Sequence, residues 1–143
     1  MLKKLFSFIA GATLVATLAL PALAQSITVK ANVPFEFIVS DREMPAGEYT
    51  IGSLNNNLVL ALRNEDAGTA ALSLSSSVTG PTWQRDAESK LVFRRYGNQY
   101  FLAQIWDGST GSGRALPMTR TERELAQTAS AQTFEVLAVR ARR

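Results

Sequence analysis

The sequence predicts an all-β protein: an antiparallel sandwich or partly open barrel of about seven strands, with one short C-terminal helix. Three observations predict it. Residues 27–39 are apolar at every odd position (Ile27, Val29, Ala31, Val33, Phe35, Phe37, Val39), with Thr28, Lys30, Asn32 and Glu36 between them. That period of two marks a strand with one buried face. Two further apolar segments, 91–96 and 99–106, flank a two-residue Gly97-Asn98 turn, a strong hairpin signal. The remaining apolar segments are short and are separated by Gly, Pro, Asn and Asp, which suits strands joined by tight turns.

Taken in order, the first strand carries Pro34 in its middle. Proline cannot donate to a ladder, so Pro34 is expected at an edge or at a bend where one long strand turns a corner. Met44-Pro45-Ala46-Gly47 is a turn, residues 48–54 a short strand, and Asn55-Asn56-Asn57 a tight polar turn. Leu58, Leu60 and Leu62 alternate along the next strand. Residues 63–68 return the chain, and 69–79 form another strand lined by Leu72 and Leu74 with serines between. Residues 80–90 read as a polar loop carrying Trp83.

A Gly97-Asn98 loop sets the hairpin register: Tyr96 faces Gln99, Arg95 faces Tyr100, Arg94 faces Phe101 and Phe93 faces Leu102. Strict alternation then puts Leu91, Phe93, Tyr100, Leu102 and Trp106 on one face. Val92, Phe101, Ala103 and Ile105 fall on the other. Two apolar faces require cover on both sides. After a Gly/Ser loop (107–113), residues 119–129 lose alternation and gain Glu, Arg, Leu, Ala and Gln. Thr119 with Glu122, and Thr121 with Glu124, fit the capping box that opens a helix, and this helix is the expected cover. A last strand spans 133–140, with Phe134, Val136, Leu137 and Val139.

The N-terminus predicts a compartment. Lys3 and Lys4 precede an apolar segment from 5 to 20, then Pro21 and an Ala22-Leu23-Ala24 cleavage pattern. These are the three parts of a secretory signal peptide. The expected division is a signal peptide at 1–24 and a single β-rich domain at 25–143, periplasmic or secreted, with no transmembrane anchor after cleavage. Setting aside Lys3 and Lys4 lowers the net charge of +3 to about +1, which gives no electrostatic case for nucleic acid. Arg140, Arg142 and Arg143 make only a small basic end.

The chain has no cysteine and no histidine. Disulfide staples and a lipid anchor on cysteine are excluded, as are Ser-His-Asp and Cys-His catalysis and histidine-ligated metals. No cofactor is implied.

Two stretches carry a resemblance. Asn32-Val33-Pro34-Phe35-Glu36-Phe37 followed by Met44-Pro45-Ala46-Gly47-Glu48-Tyr49 is similar to the opening of a family of small exported β-rich proteins of soil Gram-negative bacteria. Lys90-Leu91-Val92-Phe93-Arg94-Arg95-Tyr96-Gly97, then Gln99-Tyr100-Phe101-Leu102 and the helix start at 121–125, belong to the same resemblance. That family has no assigned activity, so the resemblance implies export and a β-fold and no functional residue.

Residues 108–115 have the G-x4-G spacing of a phosphate loop. Arg114 and Ala115 stand where lysine and Ser/Thr belong, and Leu116-Pro117 interrupts the helix the motif needs. A connector is the expectation. With imidazole and thiol absent, the acid–base candidates are Glu36, Glu43, Glu48, Asp86, Glu88 and Asp107, of which a glycosidase would need two across a sugar. Asn64-Glu65-Asp66 lacks the spaced ligands of a calcium loop. Trp83, Arg94, Arg95, Tyr96, Tyr100 and Trp106 form the candidate ligand surface, because rings and guanidinium planes both offer stacking faces. The expected function is a non-enzymatic structural or binding module with an unidentified envelope or extracellular partner. A small-ligand carrier and a carboxylate-based hydrolase are the alternatives.

Overall fold

The computed structural model describes residues 28–55, 57–80 and 88–140. The signal-peptide segment, Trp83 and Asp86 lie outside the described residues. Within them the chain is mostly strand with one helix, as the alternation predicts. The strands are β1 (Thr28–Val33), β2 (Phe37–Val39), β3 (Arg42–Met44), β4 (Gly47–Leu54), β5 (Val59–Asn64), β6 (Thr69–Leu74), β7 (Ser76–Thr79), β8 (Ser89–Tyr96), β9 (Gln99–Asp107), β10 (Ser112–Ala115) and β11 (Gln132–Arg140). The helix α1 (Arg120–Thr128) falls between β10 and β11.

All these strands belong to one hydrogen-bonded sheet, ordered β3-β2-β9-β8-β11-β1-β4-β5-β6, with β10 bridging β9 and β7. Strand β6 at one end approaches β2 and β3 at the other, so the sheet curls into a nearly closed barrel. Pairing is antiparallel except where β2 meets β9, at Ile38 and Phe101.

The count exceeds seven for local reasons. Pro34 breaks the long first segment, and β1 then pairs with β4 and β11 while β2 crosses to β9 and β3. Residues 69–79 break at Ser75 into β6 and β7. A hairpin over Ser40 and Asp41, at φ of 49° and 62°, adds β3. Neither residue is glycine, so composition does not announce this positive-φ turn. Residues 112–115 lie partly in the expected Gly/Ser connector but form β10, because both its neighbours present free ladder groups.

The Pro45-Ala46-Gly47 turn has a physical explanation. The Tyr49 hydroxyl reaches back to donate to the Pro45 carbonyl, pinning the corner from which β4 leaves. Gly47 sits at φ 149°, and a Cβ there would meet Asn64 Nδ2 at 2.6 Å.

The core is the inner face of the sheet: Val29, Val33, Phe37, Met44, Tyr49, Ile51, Leu60, Leu62, Leu91, Phe93, Leu102 and Ile105 are buried together. The hairpin register is as expected from Phe93–Leu102 to Tyr96–Gln99, around Gly97 at φ 59°. Beyond Phe93 a bulge intervenes, and Val92 pairs with Gln104 and Leu91 with Ile105. The face assignment therefore needs correcting. Ile105 points inward and Trp106 outward, because one extra residue on a strand reverses the side-chain alternation after it.

Strand β6 also reverses its expected faces. Ala71 and Ser73 point inward, and Leu72 and Leu74 stand 62% and 68% exposed. Their neighbours explain it. The inner partners of Ser73 and Ala71 are Leu60 and Leu62, both fully buried, so the interior is already filled from β5 and accepts only small groups from β6.

Candidate functional site

The structure divides the aromatic and arginine residues among three places. Arg95 and Tyr100 stay together at the barrel end beside the Gly97-Asn98 turn. Phe35 stacks on Tyr100 at 3.9 Å between centroids, and Phe134 meets it edge-on at 5.6 Å. The Arg95 guanidinium lies over Tyr100 at 5.4 Å and over Phe134 at 5.5 Å, with Nε donating to the Gly97 carbonyl. This is the cross-strand pair that the register predicts, enlarged by one ring from the Pro34 bend and one from β11. The rings cap the core, and the face of Tyr100 that a ligand would stack on is taken by Phe35.

Arg94 and Tyr96 point the other way, onto the outer face of β8. There they meet Glu122, which is 1% exposed. Arg94 Nε donates to Glu122 Oε1, Nη2 donates to Oε2 at 3.2 Å, and the Tyr96 hydroxyl donates to Oε1 at 3.4 Å. Helix α1 thus docks on this face through Glu122. Thr119 caps it by accepting from the Glu122 amide, but the reciprocal half of the capping box does not form. The Glu122 side chain goes to the sheet instead. Of the residues in α1, Glu122 alone is buried, so an ion pair anchors a helix with almost no apolar face.

Burial, and then the neighbouring Glu122 carboxylate, push the Tyr96 phenol above its ordinary value of 10.0. An acid held protonated in the folded state contributes stability that is present below its ordinary value and is lost as pH rises through the raised one. Unfolding followed from neutral pH to above pH 10 is therefore expected to show an alkaline loss of stability, which Tyr96→Phe reduces.

Trp106 is remote from both clusters. Its indole lies over Gly113, where a Cβ would approach ring atoms at 2.7 Å, and Nε1 donates to Gln104 Oε1 at 3.0 Å. Only part of the candidate ligand surface is therefore contiguous.

Among the carboxylates, Asp107 is buried and holds its own turn, accepting from the Ser109 amide at 2.9 Å and hydroxyl at 2.6 Å. Glu36 and Glu43 share a cleft of about 80 Å³ with Phe37, Ile38, Asn98, Gln99 and Tyr100. With Ile38 opposite Glu43, Glu36 is diagonal to Glu43 on the outer side of β2–β3. Both are exposed, and the cleft is far below the ~300 Å³ of a typical ligand pocket.

The most unusual surface was not among the sequence candidates. The outer register of β4, β5 and β6 sets Leu54 beside Val59 and Leu74, and Gly52 beside Ala61 and Leu72, with Leu58 at the adjoining turn. Leu54, Leu58, Leu72 and Leu74 are 44–68% exposed. Scattered surface leucines are ordinary, but a contiguous group on one sheet face is not.

No family model, no curated protein and no solved structure matches this chain.

Proposed function

We propose that this protein is an exported, non-enzymatic β-domain that binds another component of the cell envelope through the outward leucine face of β4, β5 and β6. The exposure of Leu72 and Leu74 at 62% and 68%, beside inward Ala71 and Ser73, carries the reading. Burying one such side chain in a partner contributes about 1.5–3 kcal/mol. Leu137 and Val139 on β11 are exposed as well, but Lys30, Glu48, Arg63 and Glu135 also point outward, so the outer surface is not the continuous apolar band of a membrane barrel. The described residues contain no helix long and apolar enough to cross a membrane.

The n-region lysines, apolar segment and A-x-A pattern in residues 1–24 support export to the periplasm or beyond, as does the resemblance to the small exported family. In this reading the body is a partly open barrel on about seven principal strands (β1, β4, β5, β6, β8, β9 and β11), with the short strands as attachments. A carrier role is less well supported, because Phe37, Tyr49, Phe93 and Met44 occupy the interior. A hydrolase role has only the exposed Glu36 and Glu43 in its favour.

The test compares wild type with a Leu72→Ser/Leu74→Ser variant in capture from the native envelope. Both positions are exposed, so the variant is expected to unfold within about 0.5 kcal/mol of wild type at each site. One specific component should be retained by wild type and lost by the variant. Equal recovery by the two proteins, or recovery of nothing specific, would contradict the proposal.

A further inference from the structure

We infer that Arg114, with the serines around it, forms a receptor for a small free oxyanion of phosphate or sulfate size. Arg114 projects from β10 between Ile105 of β9 and Ser77 of β7, and is only 6% exposed. Its Nε and Nη2 donate to Ser75 Oγ at 3.1 and 2.9 Å, Nη2 donates to the Ser75 carbonyl at 2.8 Å, and Nη1 donates to Ser77 Oγ at 2.6 Å. Every one of these acceptors is neutral. The ion pairs among the described residues are Lys90–Glu135, Arg94–Glu122 and Arg120–Glu124, and Arg114 takes part in none.

A buried charge without a counter-charge is costly, and an anion is the group that would offset it. The surroundings are built to bind one. Ser75, at the break between β6 and β7, and Ser77, on β7, both turn their hydroxyls to Arg114. Ser77 Oγ accepts from the guanidinium, which leaves its own proton to donate, and Nη1 retains a second N–H.

A second unsatisfied polar group lies two strands away, on the inner row that ends at Ser73. Ser53 stands across Leu60 from Ser73 in one inner row, is 8% exposed, and its Oγ has no hydrogen-bond partner. A buried hydroxyl left unsatisfied is a donor without an acceptor. The exposed Ser77 marks the approach, and the depth of Arg114 restricts the ligand to a small free ion. Strand β10 replaces the loop-and-helix cradle that the glycine spacing at 108–113 would need, so a nucleotide is not the ligand.

The experiment titrates the protein with sodium phosphate and with sodium sulfate, against sodium chloride at matched ionic strength. The readouts are the Arg114 Nε–H NMR resonance and the melting temperature. Phosphate and sulfate should each give a saturable shift and a rise in Tm that chloride does not. Ser77→Ala, an exposed substitution that keeps the fold, should weaken the apparent affinity about tenfold. A linear response equal to that of chloride, or a Ser77→Ala titration identical to wild type, would overturn the proposal.

Discussion

Replacing Phe93 by alanine is expected to destabilise the protein by about 4 kcal/mol, more than any other single truncation of the core. Phe93 lies on β8, between β9 and β11, and is fully buried. Its ring meets Phe35 edge-on at 5.1 Å and Phe37 edge-on at 5.4 Å, and Phe37 in turn meets Tyr49 at 5.0 Å. Four aromatic side chains, from residues 35–37, β4 and β8, thus form one connected cluster. Strands on every side hold the neighbours, so the site cannot collapse into the space left behind, and the cavity penalty adds to the lost transfer energy. Chemical denaturation should show a large fall in midpoint, and thermal melting a loss on the order of 15 °C. A loss below about 1 kcal/mol would mean that this ring cluster does not organise the core.

Glu122→Ala is the second large effect, expected to cost about 3 kcal/mol, the lower end for removing one partner of a buried pair. The side chain of Arg94 is 25% exposed, so water relieves part of the penalty on the stranded guanidinium. The loss should be local as well as global. A helix of nine residues is marginal by itself, and α1 presents little apolar surface to the sheet. Hydrogen exchange in the variant should therefore show α1 amides unprotected while β8 and β11 stay protected. Glu122→Gln keeps an acceptor for Arg94 and should lose less. Full protection of α1 in Glu122→Ala would show that something other than this ion pair docks the helix.

The parts of the fold legible in the sequence are those where side-chain period and turn chemistry act alone. The alternation around Val29 to Val33, the Gly97-Asn98 turn, the bend at Pro34 and the Thr119 cap all follow from adjacent residues. The parts that were not legible depend on a distant partner. Nothing near Ala103 marks the bulge that turns Ile105 in and Trp106 out. Leu72 and Leu74 read as core until β5 is seen to fill the interior with Leu60 and Leu62. Glu122 completes a capping pattern in the sequence, yet its side chain is claimed by Arg94 and Tyr96 from nearly thirty residues away. The same limit applies to the candidate surface. Arg95 and Tyr100 were paired by register, whereas Arg94 and Tyr96, one residue along, belong to the opposite face.

Photocrosslinking in living cells tests the docking claim most directly. A photoreactive residue placed at position 72 or 74 should yield one discrete adduct with an envelope component, and the same residue at Asn32, outward on β1, should yield none. Adducts of the same kind from position 32, or none from 72 and 74, would mean that the leucine face of β4, β5 and β6 is not where this protein meets its partner.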